Sequence, residues 1–257
     1  MQADGIGLYT LAKREILRFL IVGHQTIVPP LVSSTLFLFI FGLSVGQNVA
    51  FTAPGGVGYI QYIVPGIVTM YLISGSFENT SSSLFISRWH NHIQEVLLSP
   101  LSYFEMVLGL LAGGVARGTI VTLGVFAIAS LMAHTGVAHP FLAIYFMLTI
   151  SVIFSCLGMM AALWAKDFGM LSIWGTYVIT PLVFLGGVFN PISMLPVPLQ
   201  SAAHWNPMLH LVSGVRYSML GIAESPLWIS AALSGFGALA AFLFTVHLFR
   251  IGYRLRT

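Results

Sequence analysis

Few side chains in this chain of 257 residues can do chemistry. Glu78 and Arg117 stand inside long apolar runs, Glu78 in the inner half of one and Arg117 midway along the next. An ionisable group at bilayer depth costs several kcal/mol unless it is paired or hydrated. Their depths match well enough for an interhelical ion pair, which is either a structural bridge or the polar lining of a translocation path. His90-x-His92 offers two imidazoles, but no carboxylate or thiol cluster joins them, so they read as polar-face residues rather than a metal site. His204 and His210 flank Asn206-Pro207 and suit interfacial hydrogen bonding. Cys156 is the one cysteine, so no intramolecular disulfide exists, and it reads as a small buried hydrophobe. The only lysines, Lys13 and Lys166, follow no glycine run, which excludes an ordinary P-loop ATPase. There is no H-E-x-x-H and no Ser/His/Asp or Cys/His set. No catalytic residue, metal site or cofactor of its own is expected, and the chain is not expected to be an enzyme.

The elements that position these residues are helices in a membrane. Hydrophobic residues make up 57% of the chain and charged residues 7%, against about 25% charged in a soluble domain. A helix crossing a bilayer needs about 20 apolar residues. Six such runs occur, at about 20–45, 59–85, 106–133, 141–165, 170–189 and 227–249. Sustained alternation is absent, which weighs against a β-barrel. The expected fold is all-α and polytopic, a single transmembrane domain over 1–257. The first run is too long for a signal peptide and lacks a small-residue exit. No nucleic-acid partner is expected; membrane lipids are.

Orientation follows from the cations. With the N-terminus inside, Lys13, Arg14, Arg18, Arg88, Lys166, Arg250, Arg254 and Arg256 all fall inside, and Arg216 alone falls outside. Eight against one is a strong positive-inside bias, so both termini are expected in the cytoplasm.

Three pieces are not spans. Leu8, Tyr9, Ala12, Ile16, Phe19 and Leu20 share one helical face, with Lys13, Arg14, Glu15 and Arg18 on the other arc. That pattern predicts an interfacial amphipathic helix with a break soon after, near Gly23 and Pro29-Pro30. Between spans two and three, Trp89, Ile93, Val96 and Leu97 form one helical face, closed by Ser99-Pro100. This short helix either lies on the membrane or docks a cytosolic partner. The stretch Phe189–Pro207 holds four prolines and no charge. Broken apolar backbone at membrane depth survives only under protein or water cover. With Met208–Leu220 it therefore reads as two short re-entrant helices over the outer end, with Pro191 and Pro207 near helix starts and Trp205 at headgroup level. Gly109-xxx-Gly113, Gly114-xxx-Gly118 and Gly42-xxx-Gly46 predict close helix packing, within or between subunits.

The chain resembles the permease subunits of the ABC-2 type transporter family. The likeness is carried by Pro29-Pro30 with Leu36-Phe-Leu-Phe-Ile-Phe-Gly42, by Tyr59-Ile-Gln-Tyr-Ile-Val-Pro-Gly66, and by Ile93-Gln-Glu-Val-Leu-Leu-Ser-Pro100. Its most specific part runs from Gly186-Gly-Val-Phe-Asn-Pro-Ile-Ser-Met-Leu-Pro196 through Asn206-Pro207 to Arg216. Gly113-Gly-Val-Ala-Arg-Gly118 and Ser213-Gly-Val-Arg-Tyr217 are similar to the YadH-like bacterial members. Gln94 departs from the acidic residue frequent at its position, and Ser213 from the Asp of some members.

The resemblance implies a six-span permease of the bacterial inner membrane, paired as a homodimer around a central path. Each copy would bind a separate P-loop ATPase subunit that holds ATP and Mg. Arg88, Trp89, Ile93, Glu95, Val96 and Leu97 would dock that subunit as a coupling helix, with Lys166-Asp-Phe-Gly169 as a second, smaller contact. Pro191, Leu195, Pro196, Trp205, Asn206 and Pro207 would belong to an outer re-entrant gate. Exported cargo in such systems is a lipid, glycan, peptide or drug-like molecule. A stand-alone secondary carrier and a non-transporting scaffold are the competing readings. Few buried charges and no inverted repeat weigh against the carrier.

Overall fold

The computed structural model describes residues 5–45 and 56–255, so most of the loop 46–58 and Arg256 lie outside the described residues. Among the described residues every regular element is helical. The chain is an all-α polytopic membrane protein with six helices long and apolar enough to span a bilayer, at Gly23–Gly42, Tyr59–Trp89, Tyr103–Ala133, Pro140–Trp164, Phe168–Leu185 and Leu227–Arg250.

Helix α1 is Gly5–Ile21. Its buried residues, Leu11, Glu15 and Phe19, follow one another at four-residue spacing. That corrects the face expected from the sequence: Tyr9 and Leu20 are exposed, and Glu15 points into the protein rather than toward headgroups. An apolar stripe alone misplaced the helix because its inward face carries a charge with partners waiting for it. A four-residue turn, α2 (Gly23–Thr26), breaks the chain. Then α3 (Val28–Phe37) starts with Pro29 and Pro30 in its first turn, where their missing N–H groups cost nothing. It runs on as a π-helical segment, Leu38–Val45.

Helix α4 (Tyr59–Trp89, 31 residues) is the centre of the molecule. At 1.5 Å per residue it is about 46 Å long, which exceeds a hydrocarbon core of about 30 Å. A short α5 (Ile93–Leu98) ends at Ser99, whose backbone is already extended before Pro100. Helix α6 (Tyr103–Ala133) opens with a capping box, Ser102 and Glu105 satisfying each other's backbone N–H. It packs beside α7 (Pro140–Trp164) along α4.

The fifth span is assembled from α8 (Phe168–Ile173), a π-helical segment Trp174–Ile179 and α9 (Thr180–Leu185). Asp167 caps its start by accepting from the Met170 N–H at 2.6 Å. Gly187, at φ 78°, turns the chain away. A 3-10 turn (Ile192–Met194), α10 (Val197–Trp205) and α11 (Pro207–Leu220) follow, and α12 (Leu227–Arg250) closes the chain on α7.

The small-residue motifs of α6 divide their work within the chain. A Cβ on Gly109 would sit 2.7 Å from Leu11 Cγ, and one on Gly113 would sit 2.7 Å from Glu15 Cβ, so this pair seats α1. Gly114 faces Thr80 and Ser155, and Gly118 faces Ser76, so the second pair seats α4 and α7. Close backbone approach of this kind is what small residues permit in a membrane.

Candidate functional site

The basic end of the bundle, which carries Arg88, Lys166 and Arg250, is built around α5. Ile93 and Val96 are buried against the spans. Arg88 is 8% exposed and donates to the carbonyls of Ala162, Leu163 and Ala165. It thereby caps the C-terminal end of α7, where a cation complements the helix dipole. Of the residues expected to dock a partner, Arg88, Ile93 and Val96 are turned into the chain. They anchor α5, because a short helix needs an apolar face held down before its other face can present anything. That other face is open. Trp89, His90, His92, Gln94 and Glu95 are exposed, Leu97 is half-buried and Leu98 is 85% exposed. The His90 and His92 rings are 5.9 Å apart, and among the described residues no group of three possible metal ligands exists. Phe168, just after Lys166-Asp167, meets Phe85 at 4.7 Å and Trp89 at 6.0 Å between ring centres. The segments around α5 and Phe168 thus form one surface at the basic end.

Deeper in, Glu78 and Arg117 pair at 3.0 Å between Oε2 and Nη2. Arg117 also donates to the Thr26 carbonyl at 3.4 Å. A second charged group, invisible as such in the sequence, lies behind them. Arg18 of α1 donates to the carbonyl and side-chain oxygens of Asn79 at 2.9 and 3.0 Å. The buried Glu15 carboxylate accepts from Ser83 and is bridged by Arg14 at 3.0 Å and Arg18 at 3.5 Å. Burial lowers the pKa of Arg18 from its usual value, against the opposing pull of Glu15.

The Glu78–Arg117 pair is asymmetric. The Arg117 side chain is 9% exposed and that of Glu78 is 59% exposed. Glu78 faces a groove of about 330 Å³ between α4 and the fifth span, lined among others by Ser74, Phe77, Ser82, Leu171, Ser172 and Thr180. The π-helical segment Trp174–Ile179 forms part of its far wall. Such segments recur at functional sites.

The opposite end is closed by the hairpin α10–α11. Pro207 is the first residue of α11, and Asn206 caps it, accepting from the Met208 N–H at 3.0 Å while donating to the Leu182 carbonyl at 2.6 Å. Pro191 precedes the 3-10 turn and is buried, Leu195 is half-buried, and Pro196 precedes α10. Trp205 is 91% exposed. Most of α11 is buried, whereas α10 buries only Ala203, so the hairpin has a core helix and a covering helix.

Arg216 corrects the sequence reading most sharply. Counted there as the one cation on the outer side, within an expected re-entrant helix, it is fully buried on α11. Its guanidinium meets Glu224 at 3.3 Å, donates to the Gly187 carbonyl at 2.6 Å and lies 4.0 Å from the Tyr62 ring centre. The Tyr62 hydroxyl donates to the same Glu224 carboxylate. The Ser213 hydroxyl accepts from the N–H groups of Glu224 and Ser225, both at 3.0 Å, which fixes the loop that carries the acid. Tyr62 and Glu224 went unnoticed in the sequence because each sits at the edge of an apolar run. The one available signal was the spacing of Arg216 and Glu224, eight residues apart with a glycine between.

The model of the ABC-2 type transporter family matches residues 7–220. The inner membrane transport permease YadH of Escherichia coli (strain K12) is 36% identical over 244 residues, covering 95% of this chain and 92% of that protein. Nodulation protein J of Rhizobium leguminosarum bv. viciae is 25% identical over 225 residues, covering 86% and 85%. The family match takes in α1, α5, the groove and the hairpin through α11, and the chain belongs to the ABC-2 type transporter family as a transmembrane permease subunit.

Proposed function

We propose that this chain is the membrane subunit of an ATP-driven exporter in the bacterial inner membrane, with both termini in the cytoplasm. Two copies surround a central path, and each binds a separate P-loop ATPase subunit on which ATP and Mg act. The observation that carries the reading is α5: Ile93 and Val96 fasten it to the bundle while Trp89, Glu95 and Leu98 stay uncovered. A push on that open face is transmitted to the spans because α5 is packed onto them and not suspended from a loop. Phe168 widens the same surface. The groove beside Glu78 lines the path, and the α10–α11 hairpin, with Pro191, Leu195, Pro196, Trp205, Asn206 and Pro207, lids its outer end.

Affinity purification of the full chain from native membranes tests this reading. A P-loop ATPase should come with it, and Leu98→Asp should uncouple ATP turnover or dissociate the complex. Absence of an ATPase, or ATP turnover unchanged by Leu98→Asp in an intact complex, overturns it.

A further inference from the structure

The groove beside Glu78 has a hydrogen-bonding bias that names the chemistry of its ligand. Ser82 Oγ donates to the Glu78 carbonyl at 2.6 Å, Ser172 Oγ to the Gly169 carbonyl at 2.8 Å, and Thr180 Oγ1 to the Gly175 carbonyl at 2.8 Å. A hydroxyl has one proton to give and two lone pairs to offer. Each of these three spends its proton on its own helix and offers acceptor capacity to the groove, whereas the Ser74 and Thr176 hydroxyls of the same lining can donate as well as accept. Glu78 adds a carboxylate, which is acceptor-only when ionised. Its counter-cation Arg117 is behind it and nearly covered, so the groove meets the negative end of the pair. Among the described lining residues no lysine or arginine appears. The remaining walls, with Phe77, Leu171 and Ile179, are apolar.

We propose that this groove binds the polar head of an amphiphile rich in hydrogen-bond donors, an ammonium or a polyhydroxylated group, and rejects heads that only accept, such as phosphate or sulfate diesters. Glu78 is the specificity-determining residue. The inference rests on the groove lining the transport path. The physical basis is the cost of mismatch: an acceptor-only anion can take bonds from Ser74 and Thr176 but faces the spent oxygens of Ser82, Ser172 and Thr180 unpaired, and it meets like charge at Glu78. A donor head satisfies each lone pair in turn, and an ammonium gains a charge-assisted bond to Glu78.

The test uses the full chain in nanodiscs, with empty discs as reference, and fluorescent amphiphiles of one chain length bearing an ammonium, a maltoside or a phosphodiester head. Ammonium and maltoside probes should bind at least about tenfold more tightly than the phosphodiester probe, the factor of one charge-assisted bond. Glu78→Gln should cost the ammonium probe about tenfold and the maltoside probe less. Glutamine keeps an acceptor for Arg117, which also donates to the Thr26 carbonyl, so the guanidinium stays hydrogen-bonded though it loses its counter-charge; a matched thermal unfolding midpoint identifies a folded variant. The double change Ser172→Ala with Thr180→Val, at exposed positions, should weaken the maltoside probe more than the ammonium probe. Equal or tighter binding of the phosphodiester probe, or ammonium binding indifferent to Glu78→Gln, overturns the inference. A chain that co-purifies with an active ATPase yet shows no head-group preference sinks this inference alone. The lack of any ATPase partner sinks the transport reading instead, whatever the probes do.

Discussion

Removing the Arg216 guanidinium is the most severe single change the structure offers outside the apolar core. Arg216→Met keeps much of the side-chain volume and deletes three interactions: the ion pair with Glu224 at 3.3 Å, the hydrogen bond to the Gly187 carbonyl at 2.6 Å and the contact 4.0 Å from the Tyr62 ring. Taken singly, a hydrogen bond from a charged donor is worth about 1.5–3 kcal/mol and a desolvated cation–π contact about 2 kcal/mol. These do not simply add, because all three depend on one group. The better measure is the cost of stranding a buried charge, about 3–5 kcal/mol. Glu224 is the group stranded, with a side chain 13% exposed.

Thermal unfolding of the chain in detergent micelles, followed by tryptophan fluorescence, reads this directly. For a domain of this size about 1 kcal/mol moves Tm by roughly 2–4 °C, so Arg216→Met should lower it by about 6–20 °C. The decisive measurement is the double variant. Arg216→Met with Glu224→Gln removes the stranded charge and should recover more than half of the loss, because most of the single variant's cost is the bare carboxylate. A single variant within about 1 kcal/mol of the parent would refute the placement of Arg216 in a closed site. A double variant no better than the single would refute the coupling to Glu224.

Three further outcomes follow from the packing. Gly114→Val should destabilise by about 1–3 kcal/mol through overpacking against Thr80 and Ser155, while Gly136→Ala, with nothing within 4 Å, should be silent in the same thermal assay. Arg88→Met should lower thermal stability by uncapping α7, whereas Leu98→Asp should leave it unchanged and act only on the ATPase partner; reversal of the two would exchange their roles. Amide hydrogen exchange should be faster over 38–45 and 174–179 than over the middle of α4, since these π-helical segments lie on the less covered spans; equal protection would show the spans to be equally braced.

Much of this arrangement is legible in the residues themselves. Apolar run length picks out all six helices that can span, because the bilayer imposes a length that few other structures need. Pro29-Pro30 and Ser99-Pro100 mark a helix start and a helix stop, since proline acts on the backbone whatever surrounds it. Matching depth is enough to pair Glu78 with Arg117. What periodicity misses is burial of charge. Periodicity puts Glu15 on the wet arc of α1 and counts Arg216 as an outer-side cation with no partner, because hydropathy scores each side chain alone. A carboxylate is buried when Arg18 and Ser83 are there to receive it, and those residues are 3 and 68 positions away in sequence. The burial of Arg88 is hidden for the same reason: its partners are backbone carbonyls of a helix that begins some fifty residues later, and no side-chain pattern announces a carbonyl.

The three polar clusters have one element in common. Arg88 ties α4 to the end of α7, Glu78 and Asn79 tie it to α6 and α1, and Tyr62 ties it to α11 and to Glu224 just before α12. At basic end, middle and opposite end alike, α4 is bolted to the neighbours that surround it. The first and fifth spans share in none of these side-chain ion pairs. The first meets Phe189, just past the turn that ends the fifth, through Phe37 and Phe41, with ring centres 5.9 and 5.1 Å apart, and each span contains a π-helical segment. Apolar ring contacts tolerate sliding in a way that a buried ion pair does not, since a displaced ion pair leaves a bare charge. Polar side chains thus tie α1, α4, α6, α7 and α11 together, whereas the first and fifth spans are held to them by apolar packing and by hydrogen bonds such as Arg117 to the Thr26 carbonyl and Asn206 to the Leu182 carbonyl. The groove with Glu78 runs between α4 and the fifth span, with its carboxylate paired to Arg117 on one wall and Ser172 and Thr180 on the other. Were the fifth span to move along α4, the charge on one wall and the hydroxyls on the other would separate, and a head group bound to both would be lost with no change in the charge of any residue.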